Sequence, residues 1–182
     1  METLITVALA GNPNSGKTTI FNNLTGARQK IANYPGVTVE KKEGICVHKG
    51  KRIKIIDLPG TYGLTAYSEE ELIARNFIIN ETPDVLVDII DASNIERNLY
   101  LTTQFIELGM PLVIALNMSD VAERRGIKFD IEKLSALLGA PVVMTVGTKN
   151  TGLGELLDAT LKVASNPKAY RSPQIFYGGE IE

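Results

Sequence analysis

One cysteine and one histidine are too few for most metal and redox chemistry. A disulfide scaffold, a multi-cysteine zinc site or an iron–sulfur cluster needs several thiolates, and Cys46 and His48 build none of these within the chain. Charge of one sign is missing as well. A net charge of −2 supplies no global positive field to draw the chain onto nucleic acid or anionic lipid. No apolar run approaches the ~18 residues of a membrane-crossing helix; the strongest is Pro111–Leu116. The first twelve residues carry Glu2 and no basic residue, unlike a secretory leader. These absences lead to the expectation of a soluble, cytosolic domain. What is present agrees: 44% apolar and 22% charged residues are ordinary for a globular chain able to bury a core. The length of 182 residues corresponds to about 1.2 typical domains.

Apolar runs alternate with helix-spaced segments. Leu4–Ala10, Val85–Ile90, Leu112–Leu116 and Val142–Val146 read as strands buried on both faces. Gly16–Leu24, a segment opening at Ser68, Asn98–Leu108, Asp130–Leu138 and Gly154–Ala164 read as helices. Ser68-Glu69-Glu70-Glu71 fits a capping box. Val37–Val47 and Arg52–Leu58 flank Lys49-Gly50-Lys51 and predict a hairpin. Residues 27–36 have no periodicity and are expected to be loop, as are 60–67. The fold class is therefore α/β: a mostly parallel sheet with one antiparallel edge strand and helices on both faces.

Gly11-Asn12-Pro13-Asn14-Ser15-Gly16-Lys17-Thr18 matches G-x-x-x-x-G-K-[ST] between a buried strand and a helix. Glycines let backbone amides turn inward around a polyphosphate, and the helix N-terminus adds its positive dipole end. Lys17 reaches the outer phosphates as a point charge, and the Thr18 hydroxyl can coordinate Mg²⁺. The loop alone does not choose between ATP and GTP.

Asn117-Met118-Ser119-Asp120 follows a buried strand and fits a guanine-reading N-[KM]-x-D. A carboxylate at Asp120 accepts from guanine N1–H and its exocyclic amine; adenine offers neither donor. Asp57-Leu58-Pro59-Gly60 closes a strand with an Asp able to hold a Mg²⁺-bound water and a Gly whose amide can meet a γ-phosphate. Thr38 reads equally as a switch-loop Mg²⁺ ligand and as an ordinary strand start. The backbone of Gly147-Thr148-Lys149 can approach the base. Cys46 and His48 share one face of a hairpin strand and read as ordinary residues without a third ligand.

In this order, GNPNSGKT, Thr38, DLPG and NMSD resemble a TRAFAC-class P-loop GTPase of Ras-like fold. Tyr34-Pro-Gly-Val-Thr-Val-Glu40, Asp57-Leu-Pro-Gly-Thr-Tyr-Gly-Leu64 and Asp91-Ala-Ser-Asn-Ile-Glu-Arg-Asn-Leu-Tyr-Leu-Thr102 resemble the N-terminal G domain of the ferrous iron transport protein B family (FeoB). The resemblance covers Leu4 to Ala164. It implies a GTP-binding domain over residues 1–165 and, over 166–182, a linker and the start of a helical regulatory domain. GTP or GDP, Mg²⁺ and K⁺ are the implied cofactors. Gly11, Asn12, Asn14, Ser15, Gly16, Lys17, Thr18 and Thr19 would hold the phosphates. Asn117, Met118, Asp120, Gly147 and Thr148 would hold the base. Thr18, Thr38 and Asp57 would serve Mg²⁺, and Asn14 would serve K⁺. The implied catalytic set is Lys17, Asn14, Thr38 and Gly60.

Implied partners are the helical regulatory and membrane transport domains of a parent chain and small companion iron-transport proteins, but not nucleic acid. The implied location is the cytoplasmic side of the cell membrane. Two departures stand out. Val146-Gly147-Thr148 replaces the family's Val-Ser-Thr, which predicts a looser base loop and faster nucleotide exchange. Thr61 stands where Ras-like proteins carry a catalytic Gln, so no carboxamide is available there to orient water. A ribosome-assembly GTPase and a P-loop small-molecule kinase are the competing readings.

Overall fold

The computed structural model describes residues 3–170, and the expected helical-domain start at 171–182 lies outside them. Seven strands form one sheet: β1 (Ile5–Gly11), β2 (Gln29–Asn33), β3 (Glu40–His48), β4 (Lys51–Asp57), β5 (Val85–Asp91), β6 (Leu112–Asn117) and β7 (Val142–Met144). Their order is β2-β3-β4-β1-β5-β6-β7, and β4, β1, β5, β6 and β7 run parallel. Among the described strands antiparallel pairing is confined to one edge, where β3 runs against both β2 and β4.

The helices are α1 (Lys17–Thr25), α2 (Glu69–Glu81), α3 (Ile95–Glu107), α4 (Ser119–Arg124), α5 (Ile131–Leu138) and α6 (Leu153–Ser165). Alternation along β1 divides them between the two faces. Val7 and Leu9 point to the side of Ile20 and Phe21 from α1 and Leu156 and Val163 from α6. Ala8 and Ala10 point to the side of Phe77 and Ile78 from α2 and Leu101 and Phe105 from α3. Among the described residues no helix is long and apolar enough to cross a membrane.

Local chemistry sets the element ends. The Ser68 hydroxyl accepts from Glu71 N at 3.1 Å, and Glu71 Oε2 accepts from Tyr67 N at 3.2 Å, so the capping box closes one residue upstream of its usual return. Asp130 caps α5 by accepting from Lys133 N at 3.1 Å. The β3–β4 hairpin turns on Lys49 and Gly50, both with positive φ (48° and 74°), which matches the twist of the flanking strands.

Three local expectations are corrected. Gln29–Asn33, expected as loop, pairs with β3 in the register Gln29↔Gly44 to Asn33↔Glu40. Four of its five residues are exposed, so its stability comes from backbone bonds, and no apolar pattern marks it. Val37–Val39 lies in the connection, and β3 starts only at Glu40. The last strand ends at Met144. Thr145 still donates its amide to Leu116 O at 3.0 Å, but Val146 leaves the ladder to bridge Thr151.

One buried charge sits inside this sheet. Asp88 on β5 is 1% exposed and accepts from the Thr102 hydroxyl of α3 at 2.5 Å. Burial pushes its carboxyl up to about 7, and the Thr102 bond only partly opposes this. The folded value lies above the ordinary carboxylate value, so the folded state binds the extra proton. Its stabilising contribution is complete below pH ~4 and is lost as pH rises through about 7. Asp88→Asn is expected to flatten this dependence. Urea midpoints at pH 4.5 and 8 should show near parity with wild type at the lower pH. At the higher pH the variant should be more stable by about 2–4 kcal/mol. Equal pH profiles in the two proteins would exclude it.

Candidate functional site

The site lies at the C-terminal ends of the parallel strands, as expected for an open α/β sheet. Gly16 caps α1 with φ 89°, a left-handed conformation that favours glycine. Any Cβ there would collide with the Asn117 amide. The turn is closed by Ser15 N donating to Asn12 O at 3.2 Å. A pocket of about 330 Å³ opens over this turn and the first residues of α1, with Asn12, Asn14, Lys17, Thr18, Thr19 and Gly60 in its wall. The sequence motif therefore becomes one concave, amide-lined surface at a helix N-terminus. Anions are stabilised at such a surface by free N–H groups and the helix dipole.

Lys17 and Asp57 meet inside this site. The Lys17 ammonium is paired with the Asp57 carboxylate, their side chains 9% and 8% exposed. β1 and β4 are neighbours with Leu9 opposite Asp57, so the strand ends carrying the loop and the Asp arrive side by side. Leu58 N donates to Leu9 O at 2.9 Å and Thr61 N to Gly11 O at 3.1 Å, which lays Asp57–Thr61 along the phosphate loop. The side chains of Asn12 and Ser15 are buried without hydrogen-bond partners. Buried polar groups left unpaired cost about 1–3 kcal/mol each, which fits a loop that completes its bonding with a polar ligand or solvent. Asn14 is exposed at the pocket rim with φ 64°, a region Asn tolerates.

Asn117 is a fastener at the C-terminal end of β6. Its Nδ2 donates to Ser15 O at 2.9 Å, while its Oδ1 accepts from Thr145 Oγ1 and from Gly147 N, both at 3.0 Å. It joins the phosphate loop to the loop after β7. Ser119 adds a second tie, donating its hydroxyl to Thr145 O at 3.0 Å. Met118 stands between them at φ 56°, a costly conformation for a non-glycine residue, where it caps α4.

Asp120 lies in the first turn of α4, with Lys149 Nζ at 3.3 Å and Arg124 Nη1 at 3.6 Å from its carboxylate. Desolvation acts to raise its pKa. The Lys149 hydrogen bond, the Val121 amide and the charges of Lys149 and Arg124 outweigh it and hold the carboxyl below its ordinary range. It is therefore an acceptor-only group at neutral pH.

Gly147 is buried, with its N–H bonded to Asn117 and its carbonyl to Asn23. A Cβ at 147 would lie 3.0 Å from Ile20 Cγ1, a tight contact relieved by a shift of a few tenths of an ångström in Ile20. Thr148 is exposed beside it. Thr145, Ser119 and Asn23 complete the arrangement. Sequence reading passed over them because each bonds a residue distant in sequence: Thr145 the Asn117 side chain, Ser119 the Thr145 carbonyl and Asn23 the Gly147 carbonyl.

The two mobile-loop candidates differ. Gly60 lines the phosphate pocket, whereas Thr38 is exposed in the β2–β3 connection and does not line it. The connection is anchored by Tyr34, which is 8% exposed. Its hydroxyl has no partner, and Lys41 lies 5.9 Å from its ring centre. Burial, then the charges of Asp57 and Glu43, push this phenol well above its ordinary pKa. The 57–68 segment is docked on α3: Leu64 N donates to Gln104 Oε1 at 2.7 Å and Arg97 stacks 4.4 Å over Tyr62. Cys46 is buried in the core. His48 meets Asp158 of α6 at 2.7 Å, which ties the hairpin to the body.

Comparison with known proteins places these features in context. Residues 5–160 match the family model of ferrous iron transport protein B. A fusion of Fe(2+) transport protein A with the Fe(2+) transporter FeoB from Porphyromonas gingivalis is 51% identical over 181 residues, covering 98% of this chain and 21% of the relative. The cytosolic domain of L. pneumophila FeoB superimposes with a TM-score of 0.83 at 50% identity, over 86% of this chain and 62% of that one. The cytosolic domain of the T. maritima FeoB iron transporter in a GDP form gives 0.93 at 41% identity, over 97% and 70%. The chain thus spans about a fifth of the length of the curated relative it matches.

Proposed function

The chain belongs to the ferrous iron transport protein B family, and from that premise we propose that it is a GTP-binding, slowly hydrolysing switch domain regulating ferrous iron uptake by the membrane part of a longer parent chain. The observation that carries this reading is the meeting of Lys17, Thr18, Asp57 and Gly60 around one phosphate-sized pocket, with Asp120 on the far side of the Asn117 fastener. Family membership sets aside the kinase and ribosome-assembly readings.

Amides of residues 14–18 and the α1 N-terminus bind the phosphates, while Lys17 turns from Asp57 toward the outer phosphate. That turn frees the Asp57 carboxylate. Thr18, Asp57 and, after movement of the connection 34–39 between β2 and β3, Thr38 would form an all-oxygen donor set that suits Mg²⁺. When bound, Mg²⁺ would neutralise charge developing on the phosphates. Asn14, exposed at the pocket rim, would hold K⁺. Tyr34 N donates to Val39 O at 2.9 Å across this connection, so inward movement of Thr38 would disturb the Tyr34 anchor and link the phosphate state to residues 34–39. Residues 57–68 respond through Gly60. In this reading no side chain among the described residues serves as a strong general base, and hydrolysis would rest on electrostatic stabilisation.

The partners of this reading are the helical regulatory and membrane transport domains of the same chain and a companion of the Fe(2+) transport protein A type, which is fused to FeoB in one relative. The location is the cytoplasmic face of the membrane. Phosphate release in a single turnover with Mg²⁺ tests the reading. The rate is expected to be severalfold higher in K⁺ than in Na⁺, and Asn14→Ala should erase that difference. Equal rates in the two salts remove the K⁺ role; no release of phosphate from GTP removes the enzyme.

A further inference from the structure

The loop after β7 is attached to α1, the helix that carries the phosphate ligands. Gly147 is held from both ends of its peptide. Its N–H donates to Asn117 Oδ1 at 3.0 Å, and its carbonyl accepts from Asn23 Nδ2 at 2.6 Å. Between these bonds its bare α-carbon faces Ile20 and Thr19 of α1. Asn23 lies two turns along α1 from Lys17, on an exposed position where a core role would not place a carboxamide. The bond it makes is a short one for an amide donor, and it crosses 124 residues of sequence.

From this geometry we propose that Asn23 is a positioning residue for the bound nucleotide: its carboxamide latches the base loop to the phosphate helix and slows release of guanosine diphosphate. The inference rests on the guanine-nucleotide reading above. A base held against the 147–149 loop cannot leave until that loop lifts from α1. Lifting breaks the Asn23–Gly147 bond and opens the contact with Ile20. Asn117 ties the same loop to β6 and to Ser15 O, whereas Asn23 is the tie to α1 itself, so the two bonds share the restraint and loss of either weakens it. The latch adds no group to the reacting phosphate. Its loss should therefore shorten nucleotide residence without altering hydrolysis of nucleotide already bound.

The test is stopped-flow release of a fluorescent GDP analogue from the 182-residue chain. Asn23→Leu removes the donor at similar volume and is expected to speed release about three- to tenfold. The single-turnover hydrolysis rate at saturating GTP should stay within about twofold of wild type, and the thermal midpoint within about 3 °C. Asn23→Gln keeps a donor and should remain within about twofold of wild-type release. Unchanged release in Asn23→Leu overturns the proposal, as does an equal acceleration in Asn23→Gln. Failure of the wild-type chain to bind the GDP analogue would instead sink the guanine-nucleotide reading itself.

Discussion

Lys17→Met is expected to abolish most GTP hydrolysis and to destabilise the fold, and the two losses should separate in a second variant. The Lys17 ammonium is the buried partner of the Asp57 carboxylate. Removing it leaves Asp57 almost fully enclosed and unpaired, and breaking a buried pair from one side costs about 3–5 kcal/mol. A urea titration of the nucleotide-free protein reads that loss. Lys17→Met/Asp57→Asn removes both charges and should recover most of the stability, because no isolated charge remains. Hydrolysis should not recover: the point charge over the outer phosphates is still missing, a loss of about 10²–10³ in single-turnover rate. A double variant as unstable as the single one would show that the pair is not the source of the loss. Hydrolysis within tenfold of wild type would remove Lys17 from the phosphate site.

Base selection should be the second large effect. Asp120 is held below the ordinary carboxylate range, so at neutral pH it only accepts hydrogen bonds. Guanine presents N1–H and an exocyclic amine, both donors; adenine presents an acceptor at N1. Asp120→Ala is expected to weaken binding of a fluorescent GDP analogue by about 10²–10³ and to leave little preference over the ADP analogue. Asp120→Asn offers a donor in place of one acceptor and should favour xanthosine diphosphate, which carries a carbonyl where guanine carries its amine. An Asp120→Ala protein that keeps its GDP-over-ADP ratio would exclude this carboxylate as the base reader.

These predictions rest on residues that sequence reading found, but in arrangements it did not contain. The eight-residue phosphate loop, the strand-end Asp57 and Asp120 were legible because their spacing and residue types carry chemistry directly. The caps at Ser68 and Asp130 were legible for the same reason: each acts on an amide three residues away. The edge strand β2 was not, since a segment exposed on both faces has no apolar period and is held by its backbone ladder. The contacts of Gly147 were not legible either: its bonds to Asn117 and Asn23 and its approach to Ile20 are made with residues distant in sequence.

The sequence alone determined the alternation of buried strands and amphipathic helices and the phosphate loop between the first strand and the first helix, because those depend on residue identity within a few positions. The strand order and the resulting partnerships were decided by the tertiary structure. Lys17 meets Asp57 only because β1 lies against β4. Asn117 reaches Ser15 because β6 ends beside the phosphate loop, and Asn23 reaches Gly147 across 124 residues of sequence. A hydrogen bond between distant residues leaves no periodic trace along the chain. Its partner is chosen when the sheet closes and the strand ends come to rest on the same edge.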